Sequence, residues 1–209
     1  MYLLAIHGSP RKNGNSEILL DYFLKGINQE LISFEKIRLF ELNYQPCIEC
    51  GECETTGECV LDDDFKELYK KIWKADFLVI STPIFFYSHT SYVQAFFERF
   101  QAFWARKYIL KLPHPFNKKP KGILLSLGGT KGKKLFEGVV RSFKYVLDTI
   151  YGIYLGGLFF RGIDKKGEIL NHKDYLELAK NIGFKLSTLS EKEIIESPEK
   201  LNLNISSTP

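Results

Sequence analysis

No stretch of this sequence approaches the run of about 20 apolar residues that spans a bilayer. No strong charge excess points to a polyanion either. Lys and Arg number 29 against 25 Asp and Glu, a net charge of +4, so neither nucleic acid nor a membrane is an expected partner. Methionine occurs once and cysteine four times, with every cysteine inside residues 47–59. The opening Met1-Tyr2-Leu3-Leu4-Ala5-Ile6-His7 has no basic n-region and no small-residue cleavage site, so it does not read as a signal peptide. The expectation is a cytoplasmic protein, where thiols stay reduced and cysteines suggest metal or redox work before disulfides. No internal repeat and no low-complexity block interrupts the chain.

What is present suits one large domain. At 209 residues, 44% hydrophobic and 26% charged, the chain is long enough to bury a two-sided sheet. Apolar runs alternate with segments of helical period. Strands are predicted at residues 2–7, 34–42, 77–81, 122–127 and 153–160. Helices are predicted at 16–31 with Asn15 as N-cap, from Asp62-Asp63-Asp64 through Trp73, and at 90–104, 135–150 and 172–189. This alternation implies an α/β domain over 1–196, a doubly wound five-stranded parallel sheet with helices on both faces. Residues 197–209 are polar without periodicity and are expected to form a flexible C-terminal tail.

Ligands of such sheets sit at the carboxyl ends of the strands, which singles out the loops at 8–14, 82–89 and 128–134. The first runs Gly8-Ser9-Pro10-Arg11-Lys12-Asn13-Gly14-Asn15-Ser16. Ser9 and Ser16 offer hydroxyls, Gly14 lets backbone come close, and the following helix N-terminus adds free N–H groups. The Gly-Lys-Ser/Thr ending of a Walker loop is missing, and so is Gly-x-Gly-x-x-Gly. A phosphomonoester such as that of FMN fits; an ordinary polar turn would also look this way.

Thr82-Pro83-Ile84-Phe85-Phe86-Tyr87-Ser88-His89 puts three aromatics directly after a buried strand, where chains usually turn polar. A planar ring with a polar edge would use such a loop, with apolar walls and backbone N–H groups. A hydrophobic lid or a subunit contact is the plain alternative. Gly128 and Gly129 allow close backbone approach at the next strand end, although a simple connection needs them equally.

Cys47, Cys50, Cys53 and Cys59 form the pattern Cys-x2-Cys-x2-Cys-x5-Cys. The first three have ferredoxin-type spacing, and Cys59 can close the same [4Fe-4S] cluster. Two zinc knuckles would need a wider separation. Zinc and free or oxidised thiols remain the alternatives.

With these loops in order, the chain resembles the iron–sulfur flavoprotein branch of the NADPH-dependent FMN reductase-like family, which is flavodoxin-like in fold. The matching pieces are residues 8–16, the cysteine loop with Asp62-Asp63 following, and residues 82–88. The resemblance implies FMN, its phosphate held by Ser9, Arg11, Asn15 and Ser16 and its ring set against Pro83, Ile84, Phe85 and Phe86. Gly14, Thr82, Ser88, Gly128 and Gly129 complete the expected cofactor site. This chain departs from the family in having Phe85 where Tyr is common and Tyr87 where Gly is common. The resemblance also implies a homo-oligomer, dimer or tetramer, with electrons relayed between subunits.

Between Arg99 and Phe136 there is no Asp or Glu, while residues 41–67 are strongly acidic. Solvated faces are the usual meaning of such runs. The sharper expectation is that the basic segment of one protomer meets the acidic cysteine loop of another.

The expected function is electron transfer between a one-electron carrier, ferredoxin-like, and a flavin-reduced acceptor, with no catalytic nucleophile or general base. The alternative is an NAD(P)H-dependent FMN or quinone reductase whose cysteine loop is structural or vestigial. A zinc-binding interaction domain without flavin is a third reading.

Overall fold

In the computed structural model, which describes residues 1–206, one parallel sheet holds β1 (Tyr2–His7), β2 (Ser33–Arg38), β3 (Phe77–Pro83), β4 (Lys121–Gly128), β5 (Ile153–Arg161) and β6 (Ile205–Ser206). Its order is β2-β1-β3-β4-β5-β6. The connections are α1 (Asn15–Gly26), α2 (Cys53–Thr56), α3 (Phe65–Lys74), α4 (Ser91–Glu98), α5 (Gln101–Trp104), α6 (Glu137–Thr149), α7 (Lys173–Thr188) and α8 (Glu191–Glu196). The first five strands give the flavodoxin-like order 2-1-3-4-5.

Strand periodicity divides the core into two layers. Leu3, Ala5, Val79, Ile123 and Leu125 face Leu19 and Phe23 of α1 and Ile182 and Leu186 of α7. Their neighbours Leu4, Ile6, Leu78, Ile80 and Leu124 face Phe65 and Ile72 of α3, Phe96 of α4 and Phe143 of α6. Burial on both sides explains why β3 and β4 read as unbroken apolar runs.

Several predicted boundaries move. The first helix ends at Gly26, because Asn28 organises a turn: its side chain accepts from Glu30 N at 3.0 Å and its carbonyl accepts from Leu31 N at 3.1 Å. Asn15 is its first residue, with Gly14 at the cap and no side-chain cap bond. The second strand stops at Arg38 and continues as a 3-10 turn over Leu39–Glu41. The helix expected at 90–104 starts at a Thr90 cap and is broken into α4, α5 and a π turn over Ala105–Ile109.

The flexible tail expected from residue 197 packs against the domain as far as Ser206. Leu201 is fully buried, Asn204 N donates to Gly157 O at 2.7 Å, and β6 pairs with Leu158 and Phe159 of β5. A two-residue strand carries too little pattern to show in sequence. Residues 207–209 lie outside the described residues.

Candidate functional site

The strand order reverses between β1 and β3, and a crevice opens there at the carboxyl edge of the sheet. A cavity of about 160 Å³ in this crevice gathers all three predicted loops. The first contributes Ser9, Arg11, Gly14, Asn15 and Ser16; the second Pro83, Ile84 and Phe85; the third Gly128 and Gly129. Leu127, Ile163 and Asp164 also line it. The last two follow β5, a strand end outside the three expected loops, although Gly162 and Gly167 there take left-handed φ of 71° and 79°.

The phosphate loop is held from below. Gly8 N donates to Ser81 O at 2.8 Å, and Thr90 Oγ1 donates to Gly8 O, tying the loop to the cap of α4. Ser9 Oγ accepts from Arg11 N at 3.1 Å, which turns the chain so that Arg11 and Lys12 stand in solvent. A Cβ on Gly14 would lie 2.9 Å from Arg11 O, so the space there belongs to the loop backbone. Residues 15–17 open α1, where the first-turn N–H groups have no intrahelical acceptor. These donors, the positive end of the helix and Arg11 fit a phosphate.

The Asn15 side chain is engaged within the fold, while its backbone N–H is one of the first-turn donors of α1. Its Nδ2 donates to Lys165 O at 2.8 Å and its Oδ1 accepts from Ile169 N at 3.3 Å, so its amide pins the loop after β5. Ser16 Oγ lies 3.4 Å from His7 Nε2, and Ser81 Oγ donates to Ser16 O at 2.7 Å. Beneath them, burial drives the His7 imidazolium pKa well below its ordinary value, against the pull of Glu17.

Thr82, Phe86 and Ser88 are not among the cavity's lining residues. Thr82 is buried in β3, its hydroxyl donating to Pro83 O at 3.1 Å. Phe85 and Ser88 exchange backbone hydrogen bonds at 2.8 and 2.9 Å, closing a tight turn. Phe86 and Tyr87 sit at its tip with φ of 50° and 62°, and Phe86 is fully exposed. The turn geometry lifts Phe86 off the crevice.

The cysteine loop forms a second site. Cys47, Cys50, Cys53 and Cys59 are all free thiols and all line one cavity of about 290 Å³. Among the described residues, no three His, Cys, Asp or Glu side chains are drawn together as a metal site. The donor set and its shared cavity suit a thiolate-held cluster. Glu49, Gly51 and Gly57 take φ of 53°, 79° and 75°, the left-handed conformations that curl the loop. Burial pushes the Cys53 thiol up, and the neighbouring Cys47 and Cys59 add to it.

The floor of this cavity is formed by Tyr69, Arg99, Gln101 and Ala102, residues that nothing local in sequence marks out. Arg99 Nη1 donates to Asp63 Oδ2 at 2.5 Å and to Gln45 O at 3.0 Å, joining the two ends of the loop. Arg106 packs on Gly57. The basic segment therefore meets the cysteine loop of its own chain, and Lys107 and Lys118 pair with Asp148 and Asp76.

A family model described as NADPH-dependent FMN reductase matches residues 1–151. The chain belongs to the NADPH-dependent FMN reductase family. Among its relatives is an iron–sulfur flavoprotein of Methanocaldococcus jannaschii, 37% identical over 86 residues, which cover 41% of this chain and 45% of that protein. The chain thus spans less than half the length of that relative. An iron–sulfur flavoprotein of Archaeoglobus fulgidus is 26% identical over 203 residues, covering 95% of this chain and 98% of the other. The fold is similar to that of an NAD(P)H:quinone oxidoreductase from Methanothermobacter marburgensis, with a TM-score of 0.66, 18% identity, and coverage of 89% of this chain and 98% of that one. At that identity the likeness is one of fold. No helix among the described residues is long and apolar enough to cross a membrane.

Proposed function

We propose that this chain is an electron-transfer flavoprotein that holds FMN in the strand-end crevice and a [4Fe-4S] cluster on Cys47, Cys50, Cys53 and Cys59. The observation that carries this reading is the pair of separate seats. All four thiols line one cavity, three strand-end loops line another, and the two share no residue. When bound, the flavin takes electrons singly or in pairs and the cluster takes them one at a time, so together they divide a two-electron input.

The protein's part is to bind and to orient. Arg11 and the first-turn N–H groups of α1 balance the phosphate charge, Pro83 and Ile84 wall the ring, and Gly128 and Gly129 leave room at its edge. No side chain needs to act as a nucleophile. Glu49, Glu52, Glu54 and Glu58 stand exposed around the cysteines and steer a one-electron carrier of ferredoxin type or a second copy of this chain. In a homo-oligomer, dimer or tetramer, the cysteine loop of one copy then faces the crevice of another.

Purification without air, followed by a visible spectrum and iron and sulfide counts, tests the reading. Flavin bands with broad thiolate–cluster absorption near roughly 400 nm and stoichiometric iron are expected. Flavin bands alone, bleached rapidly by NADPH, would instead establish the NAD(P)H-dependent FMN or quinone reductase with a structural cysteine loop.

A further inference from the structure

The most unusual buried group outside the crevice is Arg99, whose side chain is 1% exposed. Its position is enforced by the chain on both sides. It follows α4, its guanidinium lies 4.8 Å from the Phe65 ring and 6.0 Å from that of Tyr69, and its carbonyl accepts from Tyr69 Oη at 2.8 Å. One nitrogen, Nη1, is fully engaged by Asp63 and Gln45. The other two, Nε and Nη2, are buried and find no acceptor among the described residues.

A buried guanidinium whose donors go unused is costly, and native proteins almost always satisfy such groups. If its purpose were to clasp the loop ends, Nη1 alone would accomplish that. The unspent nitrogens belong to a side chain that lines the cavity of the four cysteines, beside Tyr69, whose phenol is pushed up by burial and by Cys59. Sulfurs of a thiolate-rich group are the natural acceptors for those N–H groups, and a positive charge under them offsets their negative charge.

We infer that Arg99 is a positioning residue of the cysteine centre, giving its Nε–H and Nη2–H groups and its buried charge to the thiolate sulfurs and thereby raising the reduction potential of the group they hold. The inference rests on reading the four cysteines as a thiolate centre. Asp63 then has two tasks: it orients the guanidinium, and it moderates its charge.

The test compares the anaerobic holoprotein with Arg99→Gln, Arg99→Lys and Asp63→Asn by iron and sulfide counts and by redox titration followed in the visible spectrum. The cluster potential falls in Arg99→Gln, falls less in Arg99→Lys, and rises in Asp63→Asn, where the counter-charge is lost and the guanidinium stays. A potential unmoved in Arg99→Gln at full iron content, or lowered in Asp63→Asn, overturns the inference and leaves Arg99 a clasp. Should Arg99→Gln fail to fold, Asp63→Asn and Arg99→Lys decide by the same signs. A wild-type protein without iron or sulfide refutes the cluster reading instead. In that event the rate of iodoacetamide alkylation of the four thiols at fixed neutral pH judges Arg99. Several-fold slower alkylation in Arg99→Gln supports a charge that favours thiolate, whereas an equal or faster rate refutes it.

Discussion

His7 and Glu17 meet beneath the phosphate loop with opposite requirements. His7 is 1% exposed and burial drives its pKa down, so folding keeps it neutral. Glu17 is equally buried, which by itself would raise its pKa. The Asn13 N–H at 2.7 Å and the Lys36 ammonium at 3.0 Å outweigh that and hold it low. Both groups bind fewer protons folded than unfolded, so both make stability rise with pH in the acidic range. The His7 contribution is complete above its ordinary value of 6.5 and is lost as pH falls from there toward the folded value. Urea midpoints at pH 7 and pH 5 are expected to differ in favour of pH 7, and His7→Gln to shrink the difference. Gly14 carries a second residue-scale expectation. A methyl group there would press on Arg11 O and displace the loop that carries the phosphate donors. Gly14→Ala should weaken FMN binding about tenfold, or about 1.4 kcal/mol, as read by flavin-fluorescence titration. The close backbone approach at Gly14 was legible from its place in the loop; the side-chain bonds of Asn15 were not, because its partners Lys165 and Ile169 lie far along the chain.

At the scale of elements, the tightest contact is between α1 and α7. A Cβ on Gly183 would stand 2.1 Å from Phe23 O, and one on Gly26 1.9 Å from Lys180 O, so the two helix backbones touch where each has a glycine. Neither helix can yield without disturbing the core layer it shares with β1 and β4. Gly183→Ala is expected to cost about 1–3 kcal/mol, measurable by urea unfolding, with the crevice residues untouched. The broken helix after Thr90 shows the limit of periodicity. Its apolar face, with Val93, Phe96, Phe97, Phe100 and Phe103 buried, reads as one continuous helix. The break falls beside Arg99, which is drawn inward to Asp63 and Gln45, two residues on a segment that sequence alone could not bring there.

For the molecule as a whole, the last described segment closes the open side of β5. Leu201 is buried in the α1–α7 layer, and β6 caps the sheet edge that β5 would otherwise expose. Leu201→Ala should therefore destabilise the domain by about 2–5 kcal/mol in denaturant titration, a loss that a detached tail would not show. The segregation of charge along the chain was visible in sequence, but its meaning was not. Arg99 and Arg106 turn out to lie against the cysteine loop of the same chain, so that part of the basic segment serves its own loop before any partner's.

The fold and the crevice could be read from the chain because both depend on short-range pattern. Four apolar runs and one mixed segment of strand length, separated by helical periods, allow little besides a parallel sheet, and ligand loops must then fall at the strand ends. The cysteine spacing is likewise local. What supports the cysteines was decided by tertiary structure alone. Arg99, at the end of α4, becomes a buried cation only because α3 packs on the same face of the sheet and brings Phe65 and Tyr69 to it, with Asp63 just ahead of α3. A charge acts through what surrounds it, and those surroundings come from residues some 30 positions away.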